Sequence, residues 1–449
     1  MEHSTQARGD ARKIWLSGVD GVRADRLVHE ALRCDANVLS LGEQTCDLSD
    51  VNQIAVVGGG KGGASMAAAV EDVLGPDLVK NKVVGWVNIP ADCMRPLQKI
   101  YLHAARPASV NEPTEEGVRG TDEILKILSS LTPADLCLVL ISGGGSALLP
   151  APQSPITLVD LLAVTRLLMQ SGASINELNS VRKCLSRIKG GKLAQSSQAG
   201  ALWSMIVSDV IGNPLDIIAS GPTVPDHTSR KYAKEILERF DKKRNVVPKA
   251  VFEYLEHDDR QAEQPPFPEN VYNVIIGDNQ TALAAATVAA EQLGYEVLSL
   301  GSDNDQKAFV EGQHLAEYCL KIRGQNNRAA PGTCILSGGE PLVELTDCPG
   351  KGGRNQHLVL SALNRLWEDG MQKITLLSGG TDGEDGPTDA AGAWADADLL
   401  EAARQQGLKP EDYLRQCNAY AFFDPLGALI RTGPTHTNVM DLRVAIIEP

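Results

Sequence analysis

Four apolar segments, each ending in a glycine-rich turn, constrain the fold of this 449-residue chain more than any other feature. They read VVGGGKGG (56–63), VLISGGGSAL (139–148), CILSGGEPLV (334–343) and TLLSGGTDGEDG (375–386). Ligands of open parallel sheets bind at the carboxyl ends of the strands, where such turns lie. Glycine lets the backbone approach an anion, and N–H groups at a helix start attract negative charge. The pattern therefore predicts an α/β protein in which at least two of these turns bind phosphate or carboxylate.

Strand-like and helix-like segments alternate along the chain. The predicted strands are 54–57, 82–87, 136–141, 202–207, 271–276, 296–300, 333–336, 374–377 and 443–447. Helical patterns such as 157–170 lie between them, and residues 12–40 also have a helical pattern. This alternation predicts mainly parallel sheets. Because a polar, proline-containing stretch precedes residue 270, we predict two α/β domains, at 1–262 and 269–449.

The composition excludes several classes of partner. The net charge is −15, from 42 basic and 57 acidic residues, so nucleic acid and anionic membranes are poor partners. Nine cysteines without a C-x-x-C pair argue against a disulfide framework and against structural zinc. No segment has the roughly 20 apolar residues of a membrane span. The N-terminus has no apolar core of a signal peptide, so we expect a cytoplasmic protein, with a mitochondrial form left open.

The first glycine-rich turn matches the dinucleotide fingerprint, Gly58-x-Gly60-x-x-Gly63. A nicotinamide-binding unit should end its second strand with an acidic residue for the ribose, but that strand here ends at Asn88. The turn is not a P-loop either, because Lys61 is followed by glycine. Lys61 therefore pairs with phosphate or carboxylate oxygens, unless it is merely a solvated loop lysine.

Two further segments of the first half carry charged candidates. Five cations between residues 179 and 192, among them Arg182 and Lys189, form either an anion-binding face or the exposed side of a helix. Asp209 and Asp216 follow a buried strand, where an aspartate serves as a general base or metal ligand. Helix capping is the alternative role for these aspartates.

The densest set of charges lies in the second half. Arg354 opens a helix, a position that disfavours a cation unless an anion lies there too. Asp382, Asp385 and Asp389 share one glycine-rich loop, and carboxylates in such a loop suit Mg²⁺. A solvated acidic loop is the alternative.

Taken together, long motifs resemble those of the glycerate 2-kinases of the MOFRL family over nearly the whole chain. The motifs include GGGKGGASM, ISGGGSALLPAP, LNSVRKCLSRIKGGKLA, SDVIGNPLDIIASGPTVPD, GKGGRNQHLVLSAL and GTDGEDGPTDAAGA. The resemblance implies a Rossmann-like N-terminal domain, a smaller MOFRL-type C-terminal domain, and conversion of D-glycerate to 2-phosphoglycerate with ATP and Mg²⁺. The family's active-site lysine and arginine fall on Lys61 and Arg354. The chain departs from the family pattern at Cys184, Asn213 and His436, and has Arg106-Pro107 in place of His-Pro.

From the residues and the resemblance together, we expect glycerate and ATP to meet in the cleft between the two domains. Lys61 and Arg354 would grip the anions, Asp209 would orient or deprotonate the attacking hydroxyl, and Asp382, Asp385 or Asp389 would hold Mg²⁺. The other predicted substrate- or nucleotide-binding residues are Gly59, Gly60, Ser142, Gly143, Gly144, Ser146, Asn179, Arg182, Lys189, Ser337, Gly338, Gly339, Asn355 and Thr381. The expected partners are small molecules only, and a homodimer is left open.

Two alternative functions remain at this point. An NAD(P)H-dependent hydroxypyruvate reductase would explain the Gly58-x-Gly60-x-x-Gly63 pattern, although this chain lacks the acidic residue that would bind the ribose. A non-catalytic sensor of a phosphorylated metabolite would explain the departures at Cys184, Asn213 and His436.

Overall fold

Three β-sheets carry the fold in a computed structural model that describes residues 2–108, 110, 112–256, 266–325, 331–346 and 349–449. The strands are β1 (Leu32–Asp35), β2 (Val38–Leu41), β3 (Gln44–Asp47), β4 (Ile54–Gly59), β5 (Val83–Pro90), β6 (Ile100–Arg106), β7 (Leu136–Ile141), β8 (Ala201–Val207), β9 (Val271–Gly277), β10 (Glu296–Ser299), β11 (Thr333–Gly339), β12 (Ile374–Gly380), β13 (Gly392–Ala395), β14 (Leu429–Ile430) and β15 (Asp441–Ile447). The helices are α1 (Glu2–Gly21), α2 (Ala24–Ala31), α3 (Gly63–Lys82), α4 (Glu115–Ser130), α5 (Gly145–Leu148), α6 (Leu158–Gln170), α7 (Ile175–Cys184), α8 (Lys192–Gln195), α9 (Arg230–Phe240), α10 (Lys249–Glu256), α11 (Asn279–Gln292), α12 (Ala308–Gln325), α13 (Arg354–Arg365), α14 (Ala397–Gln405), α15 (Pro410–Arg415) and α16 (Ala419–Phe423).

The chain forms two compact units, which we call the central unit (Ala24–Ile276) and the terminal unit (Met1–Arg23 with Gly277–Pro449). This division differs from the predicted boundaries of 1–262 and 269–449 at two segments. Helix α1 belongs with the C-terminal half, where Trp15 is fully buried and its indole N–H donates to the Gly379 carbonyl at 3.2 Å. Strand β9 extends the edge of the central sheet beside β8. Both assignments depend on distant contacts that no local sequence pattern encodes.

The central unit is built on a six-stranded sheet in the order β6-β5-β4-β7-β8-β9. The predicted parallel arrangement is confirmed for the β4–β5, β4–β7, β5–β6 and β7–β8 pairs. Strands β4 and β7 are buried along their whole length, as continuous apolar runs require in a parallel sheet covered on both faces. Because β4 and β7 are neighbours, the first two glycine-rich turns lie side by side.

The terminal unit has a mixed sheet in the order β10-β11-β15-β12-β13-β14. The prediction of mainly parallel strands does not describe this sheet, because β15 lies antiparallel between β11 and β12. Strands β11 and β12 nevertheless run in the same direction, so their glycine-rich turns lie at the same end. Asp441, the first residue of β15, pairs with Gly339 on one side and Gly380 on the other.

Local patterns missed several elements of the fold. The predicted helical segment 12–40 ends at Ala31 and is followed by a small antiparallel sheet, β1–β3. Left-handed Ala36 and Asn37 form the turn between β1 and β2. Asparagine is typical of such a turn, but alanine is not. Strand β6 was also not predicted. Within the described residues, no helix combines the length and the apolar composition that crossing a bilayer requires.

The neighbouring position of β4 and β7 predicts a strict requirement for glycine at position 58. Gly58 has φ +152°, and a Cβ there would lie 1.9 Å from the Leu140 carbonyl oxygen of β7. We expect Gly58→Ala to lower the free energy of unfolding by about 1–3 kcal/mol or more, because the strands must move apart. Urea unfolding followed by circular dichroism measures this change.

The matched control is Gly9→Ala in α1, where a Cβ would meet no heavy atom within 4 Å. This substitution should leave stability unchanged or raise it by roughly 0.5–1 kcal/mol, because alanine favours the helix. A Gly58→Ala protein as stable as the wild type would contradict the predicted strand contact.

Candidate functional site

The first two glycine-rich turns bond directly to each other. The Lys61 N–H donates to the Gly143 carbonyl at 2.8 Å, and the Gly62 N–H donates to the Ser142 hydroxyl at 2.9 Å. Lys61 is half-buried and belongs to the turn that makes this contact. The structure therefore brings Lys61 together with the predicted binding turn Ser142–Ser146, although the two are far apart in the chain.

Close packing accounts for part of the glycine content of these turns. Gly60 has φ +155°, and a Cβ there would lie 2.0 Å from the Ser142 hydroxyl oxygen. A Cβ at Gly59 would lie 2.9 Å from Leu149. The glycines are thus required whether or not a ligand binds. The N–H groups of Gly143 and Gly144 donate to no backbone acceptor in the described chain, so these two are the better candidates for anion binding.

Asn88 occupies the position where a nicotinamide-binding unit needs an acidic residue. Its side chain is fully buried, and its amide donates to the carbonyls of Gly117 (3.2 Å) and Leu148 (2.8 Å). Its carbonyl oxygen accepts the indole N–H of Trp86 at 3.2 Å. Asn88 therefore joins helices to the sheet and has no access to a ribose, which argues against the reductase alternative.

Two cations converge on the hydroxyl of Ser146, at the start of α5. Lys189 donates to the Ser146 Oγ at 2.7 Å and to the Ser146 carbonyl at 3.2 Å. The Arg182 guanidinium donates to the same Oγ. These three predicted binding residues thus form one cluster, which we call the Ser146 cluster.

The Ser146 cluster brings two basic side chains together in a desolvated place. Burial lowers the pKa of Lys189 well below its ordinary value, and the neighbouring Arg182 charge lowers it further. Burial also lowers the pKa of Arg182. No carboxylate among the described residues forms an ion pair with either side chain. Because buried like charges are costly without a counter-ion, the arrangement favours an anionic ligand.

A strained loop completes the Ser146 cluster. Ser220 lies 3.4 Å from the Ser146 hydroxyl and donates to the Asn179 side-chain oxygen at 3.2 Å. Ala219 and Ser220 have φ angles of +49° and +63°, which cost energy for residues with a Cβ. Such strain is typical of functional loops. Nothing in the local sequence distinguishes Ser220 from an ordinary loop serine, so its position was not predicted.

The other basic residues of segment 179–192 have structural roles. Lys183 is buried and pairs with Asp226 at 3.2 Å and Asp216 at 3.4 Å. Lys192 donates to the carbonyls of Lys183 (2.5 Å) and Ser186 (2.8 Å). The predicted cationic face is therefore divided, and only Arg182 and Lys189 belong to the Ser146 cluster.

The two candidate aspartates after β8 have different surroundings. Asp209 is half-buried within a turn in which the Val210 N–H donates to the Ser208 hydroxyl at 3.3 Å. The Asp216 side chain is more than half exposed and is the ion-pair partner of Lys183. Asp209 therefore remains the better candidate for catalysis at the carboxyl edge of the sheet.

Two departures from the family pattern lie at left-handed backbone positions. Asn213 has φ +54° and His436 has φ +60°. Asparagine, aspartate and histidine are the residues with a Cβ that tolerate this conformation best, and glycine tolerates it freely. Cys184 is buried, and its thiol donates to the Thr228 carbonyl. Backbone conformation and packing thus accommodate the residues found at these three positions.

In the terminal unit, Arg354 is held by carboxylates of the protein itself. Its Nε and Nη2 donate to the two oxygens of buried Asp441 at 2.7 and 3.1 Å, and its Nη1 donates to Glu340 at 2.6 Å. Burial lowers the pKa of Arg354, but Asp441 and Glu340 outweigh this effect and raise it. The anion expected beside Arg354 is therefore present in the protein. Asp441 lies 87 residues away from Arg354 in the chain, so no local signal predicted this partner.

The three predicted metal ligands are not gathered into one cluster. Asp385 caps α13, accepting the N–H groups of Asn355 (3.0 Å) and Gln356 (2.9 Å), and burial raises its pKa to about 7 despite these bonds. Asp389 bonds to Arg431, which lowers its pKa to about 2. Asp382 is half-buried. No group of three or more potential ligands that could hold a metal occurs among the described residues.

The remaining predicted binding residues of the terminal unit serve the fold. The Thr381 hydroxyl donates to the Met440 carbonyl at 2.6 Å and accepts the Val439 N–H. Asn355 accepts the Ser378 hydroxyl at 2.6 Å. The Gly338 N–H, predicted to bind an anion, instead donates to the Gly301 carbonyl. Ser337 is buried and Gly339 has φ +125°, so this turn is shaped mainly by its packing.

The carboxylate partners of Arg354 predict unequal effects on stability. Asp441 is fully buried, whereas Glu340 is nearly half exposed. We expect Asp441→Asn to cost about 3 kcal/mol, because it leaves the buried face of the guanidinium without its counter-charge. Glu340→Gln, the matched control, should cost about 0–1 kcal/mol. Denaturant midpoints compare the two variants, and equal losses would contradict this account of Arg354.

Comparisons with known proteins identify the family. Residues 10–256 match a domain of unknown function, DUF4147, and residues 333–441 match the MOFRL family. Human glycerate kinase is 36% identical, with 98% of this chain and 93% of that protein covered. A glycerate 2-kinase from Pyrococcus horikoshii is 35% identical, with 88% and 87% covered. The crystal structure of a Thermotoga maritima glycerate kinase matches with a TM-score of 0.82 at 30% identity, over 99% of this chain and 100% of that one. The resemblance inferred from the motifs is thus confirmed, and the chain belongs to the glycerate kinase family.

Proposed function

We propose that this protein is a kinase that transfers the terminal phosphate of ATP to the 2-hydroxyl of D-glycerate. The single observation that carries the proposal is the Ser146 cluster, where two desolvated basic side chains donate to one hydroxyl beside the Lys61 turn. Both substrates are anions, so they match this charge. The relatives named glycerate kinase and glycerate 2-kinase support the choice of acceptor.

Phosphoryl transfer depends mainly on positioning and charge neutralisation, and the central unit offers both. Lys61, fixed through its backbone bond to Gly143, neutralises the transferring phosphoryl group. Arg182 and Lys189 bind an anionic oxygen group, either the glycerate carboxylate or a phosphate of ATP. Asp209 orients or deprotonates the attacking hydroxyl. That the two substrates meet in a cleft between the domains, and that the protein forms a homodimer, both stay predictions.

Arg354 acts within a preformed charge network. Its bidentate bond to Asp441 fixes the plane of the guanidinium, and Nη1 is the donor on the half-exposed Glu340 side. A bound anion would therefore accept a hydrogen bond from Nη1, while Asp441 holds Nε and Nη2 in place. Substitution of Arg354 affects folding as well as catalysis, so its kinetic effects need a stability control.

The residues present fit a magnesium ion through Asp382. This half-buried carboxylate follows a glycine-rich turn, and one of its oxygens accepts the Glu384 N–H at 3.0 Å. Mg²⁺ usually takes one or two carboxylates and completes its shell with phosphate and water, so a group of three carboxylates is unnecessary. Asp385 and Asp389 are weaker candidates because helix α13 and Arg431 occupy their oxygens. When bound, the ion would neutralise phosphate charge during transfer.

The regiochemistry predicts the outcome of a coupled assay. With ATP, Mg²⁺ and D-glycerate, the purified protein should give product that enolase alone consumes, because enolase acts on 2-phosphoglycerate. Signal only after addition of phosphoglycerate mutase would keep the kinase and overturn the position of phosphorylation. Binding of an ATP analogue without turnover would instead favour the sensor, and oxidation of NAD(P)H with hydroxypyruvate would favour the reductase.

The position of Lys61 predicts a large loss of turnover in Lys61→Ala. We expect kcat to fall by at least about 100-fold, since a preorganised charge at the transferring group is lost while the backbone contact with Gly143 remains. Steady-state kinetics with glycerate and ATP measure this change. Lys80→Ala, in an exposed position near the end of α3, is the matched control and should keep full activity. A folded Lys61→Ala protein with near-normal kcat would remove Lys61 from the mechanism.

A further inference from the structure

Arg106 is a buried cation at the carboxyl edge of the central sheet. It is the last residue of β6, and only 3% of it is exposed to solvent. Arg106 has no part in the phosphoryl transfer proposed for Lys61, Arg182, Lys189 and Asp209. Carboxyl ends of parallel strands are where ligands of such sheets bind, so a charged side chain buried there needs an explanation.

A β-bulge turns Arg106 towards the interior. Along the β5–β6 pair, Ile89 is opposite Ala104 but Pro90 is opposite Arg106, so Ala105 is the extra residue. Ala105 and Arg106 are both buried, although consecutive residues of a strand normally face opposite sides. Bulges are over-represented at sheet edges, where β6 lies, and next to active sites, where they re-aim a side chain.

The guanidinium of Arg106 reaches the second glycine-rich turn. A Cβ built on Gly144 would lie 3.5 Å from Arg106 Nη2 and 3.6 Å from Lys61 Cγ. Arg106 and Lys61 therefore lie on either side of the Gly144 Cα. Because glycine has no Cβ, the space between the two side chains is not filled by residue 144. Two residues later, Ser146 receives Arg182 and Lys189. The turn Ser142–Ser146 is thus bordered by four basic side chains from three separate parts of the sequence, namely Lys61, Arg106, and the segment that holds Arg182 and Lys189.

We propose that Arg106 is a further ligand-binding residue, which shares with Lys61 an anionic oxygen group bound against Gly144. This inference rests on the proposed function for the identity of the ligand, which is the glycerate carboxylate or a phosphate of ATP. The Arg106 Nη1 donates to the Val110 carbonyl, which anchors the side chain. A guanidinium has five N–H donors in a fixed fork, so this anchor is compatible with a two-point contact to carboxylate or phosphate.

The discriminating variants are Arg106→Gln and Arg106→Lys. Glutamine keeps N–H donors but carries no charge, whereas lysine keeps the charge. We expect R106Q to raise the KM of one substrate about tenfold or more, since a charge-assisted contact is lost. R106K should recover much of that affinity. A rise in the KM of glycerate assigns the carboxylate to Arg106, and a rise in the KM of ATP assigns a phosphate.

The matched control is Arg95→Gln. Arg95 also donates to a backbone carbonyl of the central unit, that of Ala64 at 2.7 Å, but it is exposed. The Arg95→Gln substitution should leave the KM values of both glycerate and ATP unchanged. Unchanged KM values in R106Q would overturn the inference, as would equal defects in R106Q and R106K, which would indicate a purely structural role.

A second measurement separates this inference from the proposed function. The shift of the thermal unfolding midpoint by inorganic phosphate, D-glycerate or ADP needs no turnover. We expect at least one of these shifts to be large in the wild type and R95Q, reduced in R106Q, and partly restored in R106K. If the wild type has no kinase activity but shows this pattern, the proposed function fails while Arg106 remains a binding residue. Identical shifts in all four proteins would overturn the Arg106 inference alone.

Discussion

The backbone contact between β4 and β7 is the constraint on which the candidate site depends. The two strands are so close at their carboxyl ends that a single Cβ at position 58 would collide with the Leu140 carbonyl. This proximity lets the Lys61 N–H reach Gly143 and the Gly62 N–H reach Ser142. Two turns from different parts of the chain thereby become one surface. The glycines are needed first for this packing, and the space they leave is what a ligand can then use.

In the terminal unit, an ion pair rather than a close backbone contact lies where two glycine-rich turns meet. These two turns flank β15, and Asp441 begins that strand between them. Arg354 binds Asp441 with two hydrogen bonds, while Asp385 caps the helix that Arg354 opens. A cation at a helix N-terminus is unfavourable by itself, but the two carboxylates reverse the local field. Arg354 and Asp385, which the sequence suggested as ligand-binding residues, thus also stabilise the loops and the helix around them.

The sequence was most informative where a signal is local. Apolar runs ending in glycine predicted the strands β4, β7, β11 and β12, and the fold class followed from their alternation with helices. Partners brought together by the fold were beyond such signals. The placement of α1 beside the C-terminal half, the antiparallel insertion of β15 and the pairing of Arg354 with Asp441 all join residues separated by long stretches of chain. No propensity of a single segment encodes them.

The basic segment 179–192 shows why residue type alone cannot separate binding from structure. Lys183 at the end of α7 and Lys189 in the following loop are both buried lysines. Lys183 faces two aspartates, whereas Lys189 donates to a serine hydroxyl and to two carbonyls beside Arg182. The first lysine has its counter-charges within the protein, and the second lies next to another cation. A fold keeps such a like-charged pair buried only at an energetic cost, which binding of an anion would offset. The distinction is electrostatic and three-dimensional, and it identifies the Ser146 cluster as the part of the central unit that is organised for a ligand.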